Sequence, residues 1–286
     1  MNKSKAALRP MAVVLMAILA TGVSAAPTLT FHFRDVKFPG AAGTSAYGIN
    51  DAGIIVGQYY DSQGVFHGFK LDHGKGTTID DPNGTNTICY GINSSGSIVG
   101  SYTSSSTGQN RGFLYKDGKF TDIAPGALSG ASGINDNGIV VGEAANCLFC
   151  AGYGFVWNGH KFKKLVFPGA AYTSAGDINN HDVITIVAPD SNLVGHSYLY
   201  RNGKYTEVKV PGAVDSYLEG NNNSDDLVFA WDNGNSGTSH GALRYKGRFY
   251  KFDAPKGRNE TAPFQLNDHR QIVGVVFFGP SFLATY

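Results

Sequence analysis

The chain has 286 residues, of which 38 are glycine, 12% are aromatic and only 16% are charged, with a formal net charge of +1. So even a balance gives no electrostatic basis for a nucleic acid or an anionic membrane as partner. Many turn formers beside many aromatics suit a β protein, and the length allows one large all-β domain or two smaller ones.

The first residues read as an export signal. Lys3, Lys5 and Arg9 form a basic start. The apolar run from Met11 to Ala20 is too short to span a bilayer, and Val23-Ser24-Ala25 fits a small-x-small cleavage site. Residues 1–25 are therefore expected to be removed near Ala25, leaving a mature chain of 26–286. Of the 23 basic residues, 20 then remain against 22 acidic ones, a formal charge of −2. No later apolar run reaches transmembrane length, so a secreted or periplasmic protein without membrane insertion is expected. Its oligomeric state is not fixed by the sequence.

The mature chain is built on one period. Prolines stand at 39, 82, 125, 168, 211 and 255, spaced 43, 43, 43, 43 and 44 residues apart. Asparagines at 50, 93, 135, 179, 222 and 267 follow them, within GINDAGIIVG, GINSSGSIVG, GINDNGIVVG, DINNHDVITI, GNNNSDDLVF and QLNDHRQIVG. The mature chain opens with a D-type strand, Phe31 to Lys37, before Pro39. Each unit then parses into strand A ending at the asparagine, a tight Asn-Asp-x-Gly turn and strand B such as Ile54-Ile55-Val56. Strand C follows, such as Gly112-Phe113-Leu114-Tyr115, then a second tight turn and strand D. Four short strands per 43 residues is the size of a propeller blade. The B strands are continuously apolar, so both faces of each sheet must be covered, as happens when blades stack. The chain ends on a C-type strand, Phe282 to Tyr286, so the N-terminal strand is expected to complete the last blade and latch the ring. The expected fold is an all-β, six-bladed β-propeller of four-stranded blades in a single domain over 26–286.

The run Gly-Ile-Asn-Asp-x-Gly-x-Ile-Val-Gly followed by His-Gly-Phe resembles the HAF family of bacterial extracellular repeats over essentially all of the mature chain. That resemblance implies an exported, propeller-like repeat protein. It carries no established activity and no catalytic residues to transfer. Copies four and five depart furthest from the pattern.

Three cysteines are present. In an oxidising compartment Cys147-Leu-Phe-Cys150 reads as a small disulfide loop, with a redox or metal role as the alternative; it lacks a second pair to complete a zinc site. Cys89 lies in a strand where other copies carry Ala46, Ala131 and Ala175, and reads as a buried, inert thiol. His67, His196 and His240 open strand C in three copies. The third strand from the axis, with strands about 4.8 Å apart, puts equivalent positions too far apart to share one metal ion. These histidines therefore read as packing or hydrogen-bonding groups. No metal and no cofactor is expected. Thr44, Thr87, Ser129, Thr173, Ser216 and Thr261 stand six residues before each asparagine and read as backbone caps between blades, with a polar ligand ring as the alternative.

The uniform A–B and C–D turns belong to one face of the disc and the longer, variable D–A and B–C connections to the other, where a ligand is expected. Symmetry breaks most in copies five and six, where Asp215, Glu219, Trp231, Asp232, Arg258 and Glu260 gather charge and an aromatic group. Tyr59, Tyr60, Tyr102 and Phe278 add aromatics to other B–C loops. Carboxylates, an arginine and aromatic platforms suit a glycan, and paired carboxylates also do acid–base hydrolysis. Two readings follow. One is a binding or scaffold module for a glycan or a protein surface. The other is a carbohydrate-active enzyme, a polysaccharide lyase or glycoside hydrolase, using the acidic cluster. No nucleophile elbow, HExxH or phosphate loop appears.

Overall fold

The computed structural model describes residues 28–234, 238–255, 260–276 and 279–286. The expected signal segment lies outside them. The described chain forms six four-stranded antiparallel sheets in a ring, a six-bladed β-propeller. Strand β1 (His32–Val36) precedes the first blade, which holds β2 (Gly43–Ile49), β3 (Ile55–Tyr60), β4 (Phe66–Asp72) and β5 (Lys75–Ile79). Blade two holds β6 (Gly84–Ile92), β7 (Ile98–Ser104), β8 (Asn110–Lys116) and β9 (Lys119–Ile123). Blade three holds β10 (Leu128–Ile134), β11 (Val140–Ala145), β12 (Tyr153–Trp157) and β13 (Phe162–Leu165). Blade four holds β14 (Ser174–Ile178), β15 (Ile184–Val187), β16 (Ser197–Arg201) and β17 (Lys204–Glu207). Blade five holds β18 (Ser216–Asn221), β19 (Leu227–Trp231), β20 (His240–Tyr245) and β21 (Arg248–Phe252). Blade six has β22 (Thr261–Leu266), β23 (Gln271–Val276) and β24 (Ser281–Thr285), and β1 pairs antiparallel with β24 as its fourth strand. The N-terminal strand thus closes the ring, so no edge is left at the seam.

The repeated asparagine explains how the blades hold together. Its side-chain oxygen accepts the backbone N–H four residues on, at 2.9–3.0 Å in all six copies, which shapes the A–B turn. Its amide donates to the carbonyl of the equivalent asparagine in the next blade. These bonds run 50 to 93, 93 to 135, 135 to 179, 179 to 222, 222 to 267 and 267 back to 50, at 2.9–3.1 Å. One residue type at one position therefore makes a closed ring of six bonds. A second ring lies beside it. The backbone N–H groups of Ser94, Asp136, Asn180, Asn223 and Asp268 each donate to the next blade's side chain at 2.7–2.9 Å.

The six hydroxyls also serve the scaffold. Thr44, Thr87, Thr173, Ser216 and Thr261 accept a backbone N–H from the end of the preceding blade at 2.9–3.3 Å. Ser129 instead donates to Ile123 O at 2.8 Å. Each fixes the D–A connection where it turns inward.

Apolar packing fills the space between blades, with one cluster at each junction. Val56 of blade one packs with Ile79, Cys89, Ile98 and Phe113, for example, and Val99 of blade two with Ala131, Ile134 and Phe155. Cys89 is fully buried, and burial raises its thiol pKa far above its usual value, which leaves it unreactive.

In four blades a glycine on strand B faces an aromatic on strand C: Gly57 pairs with Phe69, Gly100 with Phe113, Gly142 with Phe155 and Gly274 with Phe282. Blade five reverses the sizes, with Phe229 on B opposite Ala242 on C, and both are fully buried. The departure of copy five from the repeat is therefore a compensated swap that keeps one ring per blade. At Gly142 an added Cβ would stand 2.0 Å from Gly130 O and 2.9 Å from the Phe155 ring. Gly142→Ala is expected to cost about 2 kcal/mol by overpacking. A urea midpoint equal to that of the unaltered protein would refute this account of the repeat glycine.

Candidate functional site

Every innermost strand carries a β-bulge at the same place. The ladder between strands A and B shifts between Ala46 and Gly48, Cys89 and Gly91, Ala131 and Gly133, Ala175 and Ile178, Leu218 and Gly220, and Pro263 and Gln265. A bulge re-aims a side chain out of the ladder. The bulged residues are Tyr47, Tyr90, Ser132, Gly176, Glu219 and Phe264, each three residues before the ring asparagine. All six line one axial cavity of about 900 Å³. The scaffold is six-fold, while this one position is chemically different in nearly every blade.

The cavity has two unlike sides. Phe264, Tyr47 and Tyr90 come from consecutive blades and pack ring to ring, with centroids 5.0 Å apart for Tyr47–Phe264 and 5.5 Å for Tyr47–Tyr90. The other three blades give Ser132, Gly176 and Glu219, with Glu143 nearby. No described residue lining the cavity is Lys, Arg or His.

The floor is a bridge across the axis. The position after the bulge is glycine in four blades, where the backbones crowd: a Cβ on Gly48 would lie 2.4 Å from Tyr90 O. Blade four has Asp177 there and blade six has Gln265. Gln265 Nε2 donates to Asp177 Oδ1 at 3.0 Å, while Gln265 Oε1 accepts the Ile49 N–H at 2.8 Å. Asp177 also accepts the Ile178 and Asn221 N–H groups at 2.9 and 3.2 Å. Its carboxyl is buried, and burial raises its pKa to about 6 against the lowering pull of those donors.

Glu219 differs from Asp177 in having no hydrogen-bond partner among the described residues. Burial alone moves its pKa from 4.5 to about 7. Burial also raises the Tyr172 pKa, with Glu143 and Glu219 adding to the rise. Around the mouth stand Tyr172, Leu193 and the loop closed by the Cys147–Cys150 disulfide, whose sulfurs are 2.07 Å apart. That loop presents Phe149, 94% exposed, at the rim.

Of the six ligand candidates picked from blades five and six, Glu219 is the one placed on this cavity among those described. Asp215 accepts the Gly195 N–H at 2.7 Å and Asp232 the Gly234 N–H at 2.7 Å, so both shape loops. Their backbones meet, Asp232 N–H donating to Asp215 O at 3.1 Å. Trp231 is buried on the sheet, donates to Gly241 O at 3.2 Å and lies under the Lys251 ammonium at 3.6 Å. Glu260 forms a backbone bridge with Ser239. Arg258, like Phe278, lies outside the described residues. Among the described residues, therefore, these charges do not share one ligand space.

The other aromatics of the B–C loops also serve local packing. Tyr59 stacks on Phe38 with centroids 4.1 Å apart, and the Tyr102 hydroxyl donates to Asp122 at 3.0 Å. Tyr60 packs on Phe66. The strand C histidines pair within their own blades: His67 with Asp80 at 2.7 Å, His196 with Glu207 at 3.2 Å and His240 with Asp253 at 2.9 Å. Among the described residues no three His, Cys, Asp or Glu groups are placed to hold a metal ion. No helix among them is long and apolar enough to cross a membrane.

No protein-family model matches the sequence, and no curated protein matches it significantly. The fold has clear counterparts. A catalytically inactive variant of virginiamycin B lyase from Staphylococcus aureus superposes with a TM-score of 0.55 at 14% identity, covering 90% of this chain and 100% of that one. A protein assigned as TolB from Agrobacterium tumefaciens gives 0.59 at 14% identity over 85% and 90% of the two chains. AofleA from Arthrobotrys oligospora gives 0.53 at 12% identity over 89% and 86%. At these identities the likeness is one of fold.

Proposed function

We propose that this chain is an exported, HAF-type propeller that binds a glycan in its axial cavity. The carrying observation is the bulge position: one structural site, presented six times into one cavity, holding Tyr, Tyr, Ser, Gly, Glu and Phe. A scaffold need would repeat the residue, as the ring asparagine is repeated. An aromatic wall facing hydroxyl and carboxylate groups is the usual lining of a small-ligand site. Sugars offer an apolar C–H face to aromatic rings and hydroxyls to the polar side. The basic, then apolar, start of the chain supports export.

The test is a screen of the mature protein against polysaccharides and oligosaccharides, reading both binding and product release. Tyr47→Ala and Ser132→Trp, which strip the wall and fill the space respectively, should each weaken binding at least tenfold. A glycan bound equally by both variants binds elsewhere and sinks the proposal.

A second reading, a carbohydrate-active enzyme, is favoured by Glu219 alone. A carboxyl titrating near 7 on a cavity is suited to general acid catalysis. Product release lost in Glu219→Gln with binding retained would select it.

A further inference from the structure

We infer that the ligand of the axial cavity carries an organic ammonium group, seated between the Phe264–Tyr47–Tyr90 wall and the carboxylates of Glu219 and Glu143. The inference rests on the reading of this cavity as a ligand site and narrows what enters it.

The charge in the cavity is one-sided. Glu219, Glu143 and Asp177 line it, and no described lining residue is cationic. An anionic ligand would meet three carboxylates at close range. A neutral ligand leaves Glu219 as it stands: half-buried on the cavity wall, with no N–H or O–H donor among the described residues. Such a group is costly unless a partner completes it. Asp177 illustrates the satisfied case, with three donors at 2.9–3.2 Å. Aromatic rings add to the preference, because their faces carry negative potential and attract ammonium groups. The lining thus supplies both attractions for a cation and no competing positive charge. Gly176, at the bulge between Ser132 and Glu219 in blade order, adds no side chain there.

Binding should follow the ionisation of Glu219. The titratable groups that interact with it are Tyr172 and Tyr217, both raised by burial, with Asp177 and Glu143 on the same cavity, while Asp215 and Asp232 act on Tyr217. Glu219 changes charge at about 7, and the floor carboxyl Asp177, already held by three donors, at about 6. A permanently charged probe keeps the ligand's own titration out of the profile.

Isothermal titration of the mature protein with choline and with its uncharged isostere, 3,3-dimethylbutan-1-ol, tests this directly. Choline should bind at least tenfold tighter, and Glu219→Gln should remove that preference. In the unaltered protein choline affinity should fall about tenfold per pH unit below 7. Ser132→Lys, which places an ammonium inside the cavity, should abolish choline binding while leaving the thermal transition in place. Two further arms separate the sources of the group. A de-N-acetylated chito-oligosaccharide bound in preference to its N-acetylated form indicates an amino sugar. Choline bound without either sugar indicates a small ammonium compound. Equal affinity for the two isosteres, or choline binding untouched in Glu219→Gln, overturns the inference. If a neutral glycan binds in that event and is lost in Tyr47→Ala, the ligand-site reading survives. If no probe binds, both readings fall.

Discussion

Replacing Asn135 by alanine should destabilise the propeller by about 4 kcal/mol, a large fraction of the stability of an ordinary domain. Asn135 is 3% exposed and makes three contacts at once. Its oxygen accepts the Ile139 N–H at 3.0 Å, and its amide donates to Asn179 O at 3.1 Å and to Asp182 Oδ1 at 3.0 Å. Alanine leaves a turn N–H and an interblade carbonyl without their partners, and each buried orphan costs about 1–3 kcal/mol. Asn135→Asp keeps the acceptor but sets a buried carboxylate oxygen against Asn179 O and Asp182 Oδ1, so at neutral pH it should cost at least as much as alanine. Asp136→Ala, on the more exposed second ring, should cost under about 1 kcal/mol. Urea midpoints rank the three variants. If Asn135→Ala and Asp136→Ala cost the same, the closed ring is not what holds the blades in register.

Glu219→Gln should stabilise the protein above pH 7 and do nothing below pH 4. The folded state binds the Glu219 proton up to about pH 7, while the unfolded chain releases it near 4.5. When both states hold the proton the group costs nothing. As pH rises between those values the unfolded state is progressively favoured, because it alone ionises freely. The cost of the half-buried charge therefore grows from zero at low pH to at most about 3 kcal/mol above 7. Glutamine is neutral throughout and removes it. For a domain of this size the gain corresponds to a rise in Tm of roughly 5 to 10 °C at pH 8. Equal transition temperatures at pH 8 would show that Glu219 is well hydrated in the folded protein and would remove the ground for placing a cation beside it. A stabilising substitution at a cavity carboxylate also matches the usual trade between stability and function.

The contrast between these two residues is the contrast between scaffold and site. Asn135 occupies a position that is asparagine in six blades out of six. Glu219 occupies one that is Tyr, Tyr, Ser, Gly, Glu and Phe around the ring. The two positions are three residues apart, one inside the innermost strand and the other just beyond its end.

The period alone determined the ring. Prolines and asparagines spaced 43 residues apart, continuous apolar B strands and a chain running from a D-type to a C-type strand leave little but six stacked blades closed by β1 on β24. Those features are local: turn chemistry and two-sided burial are written in neighbouring residues. The scaffold role of the six hydroxyls was legible for the same reason, as their partners lie six or seven residues away. The site was not legible in this way. Loop charge points to Asp215 and Asp232, which the structure gives to loop N–H groups, and to Trp231, which it buries. Tyr47, Tyr90 and Phe264 lay unremarked because alternation along a strand does not tell where a bulge turns a side chain to the axis. One signal was present: the position three before each asparagine varies in chemistry inside a repeated strand. Only the closed ring shows that six such positions, up to 217 residues apart, share one cavity, and that Asp177 and Gln265 meet across its floor. Proximity across an axis is a property of the assembled blades, so tertiary structure alone could decide it.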